Sequence, residues 1–163
     1  MLPILQVVTL MLVSVPMSLA LAHALEYPGK MRLSKQEYLA TQAIYYPGFT
    51  LGGIAEFASV IALGVLAFLV RDSGTVFWLT LAAFAAMALL DAVYWLMTHP
   101  VNNFWVKDVK MKAAGTRFFG LNAARPGTEP DWKELRDQWE LSHIIRAALG
   151  VTGLLLLTIS LVI

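Results

Sequence analysis

Residues 50–97 read TLGGIAEFASVIALGVLAFLV-RDSGT-VFWLTLAAFAAMALLDAVYWLM, two apolar runs joined by the five polar or small residues 71–75. A bilayer core about 30 Å thick takes roughly 20 mostly apolar helical residues to cross. Each run is that long, and the link is too short for anything but an antiparallel hairpin. Two further stretches qualify, from about Ile4 to Leu25 and from about His143 to Ile163. The predicted fold is therefore all-α: an integral membrane four-helix bundle with spans of about 4–25, 50–70, 77–97 and 143–163, forming one domain over 1–163.

Composition agrees. Hydrophobic residues make up 58% of the 163 and charged residues 14%, against roughly 25% charged in an average soluble domain. Mean hydropathy is +0.67. A soluble fold of this size has no means of hiding so much apolar surface, so the lipid bilayer is the first partner expected. The net charge of +1 excludes a nucleic-acid-binding role, which needs a basic face. With no cysteine, disulfides, thiolate metal sites and a cysteine nucleophile are excluded, and self-association into a homo-oligomer is left open.

Ala20-Leu21-Ala22 has the small residues of a signal-peptidase site. The first run, however, lacks a basic n-region and is too long for a signal sequence, so it is expected to remain as a span. The first loop carries Lys30, Arg32 and Lys35, and the third connection Lys107, Lys110, Lys112, Arg117, Arg125, Lys133 and Arg136. Arg71 alone lies at the opposite end. The positive-inside rule then predicts both loops in the cytoplasm, both termini outside and the plasma membrane as the location.

The third connection is too long for a bare loop. Phe104, Trp105, Val109 and Met111 alternate with lysines there, which suits a short interfacial helix. Arg125-Pro126-Gly127 turns the chain back. Asp131 is a candidate N-cap with Glu134 as its capping-box partner, so the last helix should begin near Trp132. It would then run roughly 48 Å.

The costly residues gather at the loop end of this bundle. His23 closes the first span, His99 the third, and His143 opens the fourth. Glu26 follows His23 at i+3 on the same face. Glu56 lies roughly 9 Å and Asp91 roughly 12 Å inside their spans. A carboxylate at such depth must be paired, neutralised or hydrated, and so should face the bundle interior. Gly52 and Gly53, one turn before Glu56, would allow close approach of another helix or a ligand. Arg136, Trp139, His143 and Arg146 form one helix face, continued by Gly150 and Gly153. Arg146 is the natural counter-ion for Glu56 or Asp91.

Each of these has a structural reading too. Histidine and aromatic residues favour membrane interfaces, and Tyr27, Tyr45, Tyr46, Trp95 and Trp105 suit an aromatic belt. Arg136 has the reach to snorkel or to bind lipid phosphate. As a functional set, His143, Arg146, His99 and Glu56 are the catalytic candidates, and His23, Glu26, Asp91, Asn102, Arg136 and Trp139 the ligand- or cofactor-binding ones. His23, His99 and His143 are the candidate ligands for a metal ion or a haem. A cofactor-free site is equally permitted, with histidine as general base and arginine stabilising an enolate or phenolate. Phosphate loops, dinucleotide fingerprints and hydrolase elbows are absent.

Pro100-Val101-Asn102, followed by Trp139-x-x-x-His143-x-x-Arg146, resembles the anthrone-oxygenase-like family of small membrane proteins. The four-helix layout with a long third connection is similar across nearly the whole chain. The resemblance implies a compact bundle and, for some members, oxygenation of a polycyclic phenolic substrate, with Asn102, Trp139, His143 and Arg146 as matching positions. The expected function is thus a membrane oxidoreductase or oxygenase-like protein acting on a lipophilic small molecule. The rival is a non-catalytic subunit, assembly factor or lipid-binding protein whose buried charges are staples; a transporter is disfavoured, since no inverted repeat is visible.

Overall fold

The computed structural model describes residues 1–45, 48–105 and 131–163. Four helices in it are long and apolar enough to cross a membrane. Helix α1 (Leu2–Lys30) is followed by the short α2 (Lys35–Gln42) and a 3-10 turn at Ala43–Tyr45. Helix α3 (Gly48–Leu69) then returns through the bundle. Helix α4 (Thr75–Val93) continues through a π turn (Tyr94–Thr98) into α5 (His99–Trp105), and α6 (Trp132–Val162) completes the set.

The spans form a closed ring. Helix α1 packs against α3 and α6, and α4 packs against the same two. Chain direction alternates around the ring, so every adjacent pair is antiparallel and the helix dipoles oppose one another. The hairpin between α3 and α4 closes on Gly74, which caps α4 at φ 54°. This left-handed conformation is open to glycine at no steric cost.

The half of the bundle nearer the termini is filled by Val13, Leu63, Leu66, Ala83, Met87, Leu90 and Leu157. Glycines on α6 set the helix spacing there. A Cβ on Gly150 would lie 3.0 Å from the Met17 backbone, and one on Gly153 3.1 Å from the Met87 sulfur. Large apolar side chains such as Ile4, Ile61, Phe68, Leu96 and Val162 project outward, as expected of a lipid-facing surface.

Several boundaries differ from expectation, and proline explains two of them. Helix α1 does not stop near Leu25; it runs through Pro28 to Lys30, and Pro28 loses only one bond of the last turn. The third span was expected to close at His99, but the helix continues through Pro100 to Trp105. Pro100 offers no N–H to the Leu96 carbonyl and crowds it. The ladder slips by one residue, so that the His99 N–H bonds to the Tyr94 carbonyl five positions back. Phe104 and Trp105 therefore end the third membrane helix; Val109, Met111 and the Arg125-Pro126-Gly127 turn lie outside the described residues. Asp131 does cap α6, accepting from the Lys133 N–H at 3.1 Å, with Glu134 in the first turn.

Helix α2 was not anticipated, although its signal is local. Ser34 accepts from the Glu37 N–H, and the Ser34 N–H donates to the Glu37 carboxylate at 2.8 Å, a complete capping box. The helix lies across the loop end, where the fully buried Tyr38 packs with Val101, Trp105 and Trp139 in a second core.

Candidate functional site

A cavity opens inside the loop end of the ring, walled by all four spans. Helix α1 contributes Pro16, Leu19, Ala20 and His23; α3 contributes Phe49, Gly52, Gly53 and Glu56. Tyr94 and Thr98 come from the π turn, Asn102 from α5, Trp139, His143 and Arg146 from α6, and Tyr45 from the 3-10 turn. Tyr94, Thr98 and Asn102 are spaced by four, and the wide π turn keeps them on one side. The cavity volume is about 80 Å³, room for several waters or for the polar edge of a ring that enters from its open side.

Arg146 and Glu56 form the floor. Their side chains are 9% and 7% exposed, and the Arg146 Nη2 donates to the Glu56 Oε2 at 2.6 Å. The guanidinium also sits 5.1 Å from the Tyr94 ring centre. The second Glu56 oxygen, Oε1, and the Arg146 Nε have no hydrogen-bond partner among the described residues. Both are polar atoms buried beside a cavity, where a ligand or water would satisfy them.

The walls are aromatic. The His23 ring lies 4.2 Å from the His143 ring and 4.9 Å from the Trp139 ring, centre to centre. Tyr45 and Phe49 close its other side at 4.4 Å and 4.7 Å. The Trp139 indole N–H donates to the Asn102 side-chain oxygen at 2.8 Å, tying α6 to α5.

Hydrogen bonding fixes the tautomers of the two cavity histidines. The His143 Nδ1 lies 2.8 Å from the Trp139 carbonyl oxygen. A carbonyl only accepts, so Nδ1 carries the proton and Nε2 keeps its lone pair. The Ser142 hydroxyl donates to the same carbonyl at 2.6 Å and meets Thr98 at 2.8 Å. His23 is the reverse case. Its Nδ1 is 3.1 Å from the Lys30 ammonium and 3.8 Å from Glu26. The shorter contact governs, and since an ammonium only donates, Nδ1 is the acceptor and Nε2 bears the proton.

Behind His23 lies a second polar cluster. Lys30, only 5% exposed, is 3.0 Å from Glu26 and 3.7 Å from Glu140. The Tyr38 hydroxyl donates to the wholly buried Glu140 at 2.8 Å, and the Tyr45 hydroxyl to Glu26 at 2.7 Å. Burial, then the neighbouring Glu140 carboxylate, pushes the Tyr38 phenol well above its ordinary value; burial and the bond to Glu26 do the same for Tyr45. Both hydroxyls thus remain donors throughout the accessible pH range.

The structure brings His23, Glu56, Asn102, Trp139, His143 and Arg146 together on the cavity. The other candidates sit elsewhere. His99 is buried against Trp95 at 4.8 Å between ring centres. Arg136 pairs with its neighbour Asp137 at 2.7 Å and covers Trp132. Asp91 is half-buried below the cavity, and Glu26 lies behind its wall in the Lys30 cluster. His23, His99 and His143 do not converge, and no group of three or more His, Cys, Asp or Glu able to hold a metal occurs among the described residues. Sequence reasoning passed over Lys30, Tyr38, Tyr94, Thr98 and Glu140.

Fold and site together define a multi-pass helical membrane bundle with an aromatic-walled cavity, floored by an ion pair, at one end. No protein-family model, curated protein or solved structure matches the chain.

Proposed function

We propose that the cavity binds the hydroxylated or enolisable ring of a lipophilic small molecule and that the protein acts on it as an oxygenase-like oxidoreductase. The observation that carries this reading is a pair of cavity-lining histidines of opposite tautomer: His143, whose Nδ1 proton goes to the Trp139 carbonyl, keeps an unprotonated Nε2, and His23, whose Nδ1 accepts from Lys30, keeps a protonated one. A hydroxyl placed between them gives its proton to His143 and, as the oxyanion, accepts from His23. Arg146 adds positive charge nearby. An electron-rich carbanion or phenolate of this kind reacts with dioxygen. At an activated methylene, one oxygen atom enters as a carbonyl and the other leaves as water with the two hydrogens. The similarity to anthrone-oxygenase-like proteins points to the same class of substrate.

The test uses the purified protein in nanodiscs with anthrone as probe, following oxygen uptake and ¹⁸O incorporation. Turnover that falls at least tenfold in His143→Gln supports the reading. Turnover equal to empty nanodiscs, or unchanged by that substitution, overturns it. The cationic loops support a plasma-membrane protein with both termini outside; single cysteines introduced into this cysteine-free chain at Ser34 and Ser73 report the two sides by labelling.

A non-catalytic subunit, assembly factor or lipid-binding role draws on a different observation. The Lys30–Glu140–Tyr38 cluster ties α1, α6 and α2 into a clasp remote from solvent. Full ligand binding without oxygen uptake would favour it.

A further inference from the structure

Lys30 is a costly residue that touches the cavity only through its neighbours. It ends α1, a position where the helix dipole favours a cation, yet its side chain turns inward rather than toward the headgroups. Three acceptors surround its three N–H bonds: Glu26 on its own helix, Glu140 on α6 and the Nδ1 of His23. The aromatic faces of Tyr45 and Trp139 complete the enclosure at 5.1 Å and 5.0 Å. Of these contacts only His23 reaches the cavity through a titratable ring that has two tautomers.

We propose that Lys30 is a positioning residue of the cavity: by donating to the Nδ1 of His23 it fixes that ring as the Nε2–H tautomer, so that His23 faces the cavity as a donor and His143 as an acceptor. Its ligand counterpart is a single hydroxyl that donates and accepts at once, which a phenol supplies and its methyl ether does not. The ligand clause rests on the function proposed above; the tautomer clause stands without it. The geometry requires the two histidines to differ. Rings 4.2 Å apart that both presented N–H groups, or both bare nitrogens, would leave a bound hydroxyl with one unmatched contact.

Lys30 reaches His23 because Pro28 fails to end α1. The i+7 spacing places both on one face, and Glu26 and Glu140 hold the ammonium there.

The experiment is two-bond ¹H–¹⁵N correlation on protein carrying ¹⁵N-histidine, in nanodiscs, without ligand. Only three spin systems exist, and His23→Gln and His99→Gln assign them. The expected spectrum has His23 as Nε2–H and His143 as Nδ1–H. In Lys30→Met the His23 signals should move to the Nδ1–H or mixed pattern, while Lys30→Arg, which keeps a donor, retains the native one. Titration with 4-tert-butylphenol should weaken at least fivefold in Lys30→Met, with 4-tert-butylanisole binding unchanged. A native His23 found as Nδ1–H, or one unmoved by Lys30→Met, overturns the proposal; should that variant not fold, the native spectrum decides alone. Correct tautomers with no preference for the phenol would overturn the ligand clause and leave the role of Lys30 standing.

Discussion

Arg146 on α6 donates to Glu56 on α3 across 2.6 Å, joining residues 90 positions apart inside the ring. Neither side chain is more than 9% exposed. Removing one partner leaves the other's charge buried without its counter-ion, a loss of about 3–5 kcal/mol for buried pairs. Arg146→Met and Glu56→Leu should each lower stability by that order in a denaturant titration of the bundle in detergent micelles. The double variant should recover much of the loss, because no charge is left unpaired. Strictly additive losses would mean that the two do not act as a pair.

Glycine spacing on α6 gives a graded expectation. A Cβ at Gly150 meets the Met17 backbone at 3.0 Å, which cannot swing aside, whereas one at Gly153 meets the flexible end of Met87. Gly150→Ala should therefore cost about 1–3 kcal/mol through overpacking, and Gly153→Ala clearly less. At Gly52 the obstruction is a Leu19 methyl, again movable. Thermal unfolding of the three variants side by side checks the order.

Tyr38 and Glu140 make a third case. The carboxylate is fully buried, its Oε2 has no partner among the described residues, and its Oε1 takes the Tyr38 hydroxyl. Tyr38→Phe keeps the ring contacts with Trp105 and Trp132 and deletes only the donor. Leaving that acceptor less satisfied should cost about 1–3 kcal/mol. Glu140→Gln in the same background should restore part of it, since a neutral amide tolerates burial better. Both are measurable as shifts in denaturant midpoint.

How much of this was legible depended on periodicity. Arg136, Trp139, His143 and Arg146 share a helix face in any α-helical reading, and the cost of a charge in hydrocarbon pointed Arg146 at Glu56 or Asp91, between which only the packing of the ring decides. Lys30 was hidden by Pro28-Gly29, a sequence that reads as a helix stop and made it one more loop cation. Glu140 lies one position off the stripe, beside Trp139, and nothing local marks it as buried. Tyr45 looks like a belt aromatic until the 3-10 turn folds it against His23. Tyr94 and Thr98 depend on a π turn whose trigger, Pro100, was visible but whose effect on facing was not. Long-range pairing partners are set by the ring's packing, which no single segment encodes.

The last expectation concerns acid. The Ser34 hydroxyl and N–H both donate to the Glu37 carboxylate, which holds that group below its ordinary value of 4.5. A carboxyl depressed on folding contributes stability that is present above its unfolded value and lost as pH falls through its folded one. The capping box should therefore be intact at neutral pH and should open only once the pH falls below the ordinary carboxylate range. Because α2 carries Tyr38 into the loop-end core, fraying there should appear first as a loss of amide protection, relative to the intrinsic exchange rate at each pH, at Glu37 and Tyr38, with the spans unaffected. Ser34→Ala removes both the hydroxyl donor to Glu37 and the acceptor for the Glu37 N–H. It should leave α2 frayed at neutral pH and flatten the dependence between pH 3 and pH 6. Protection that depends on pH equally in Ser34→Ala would assign the effect to some other carboxylate.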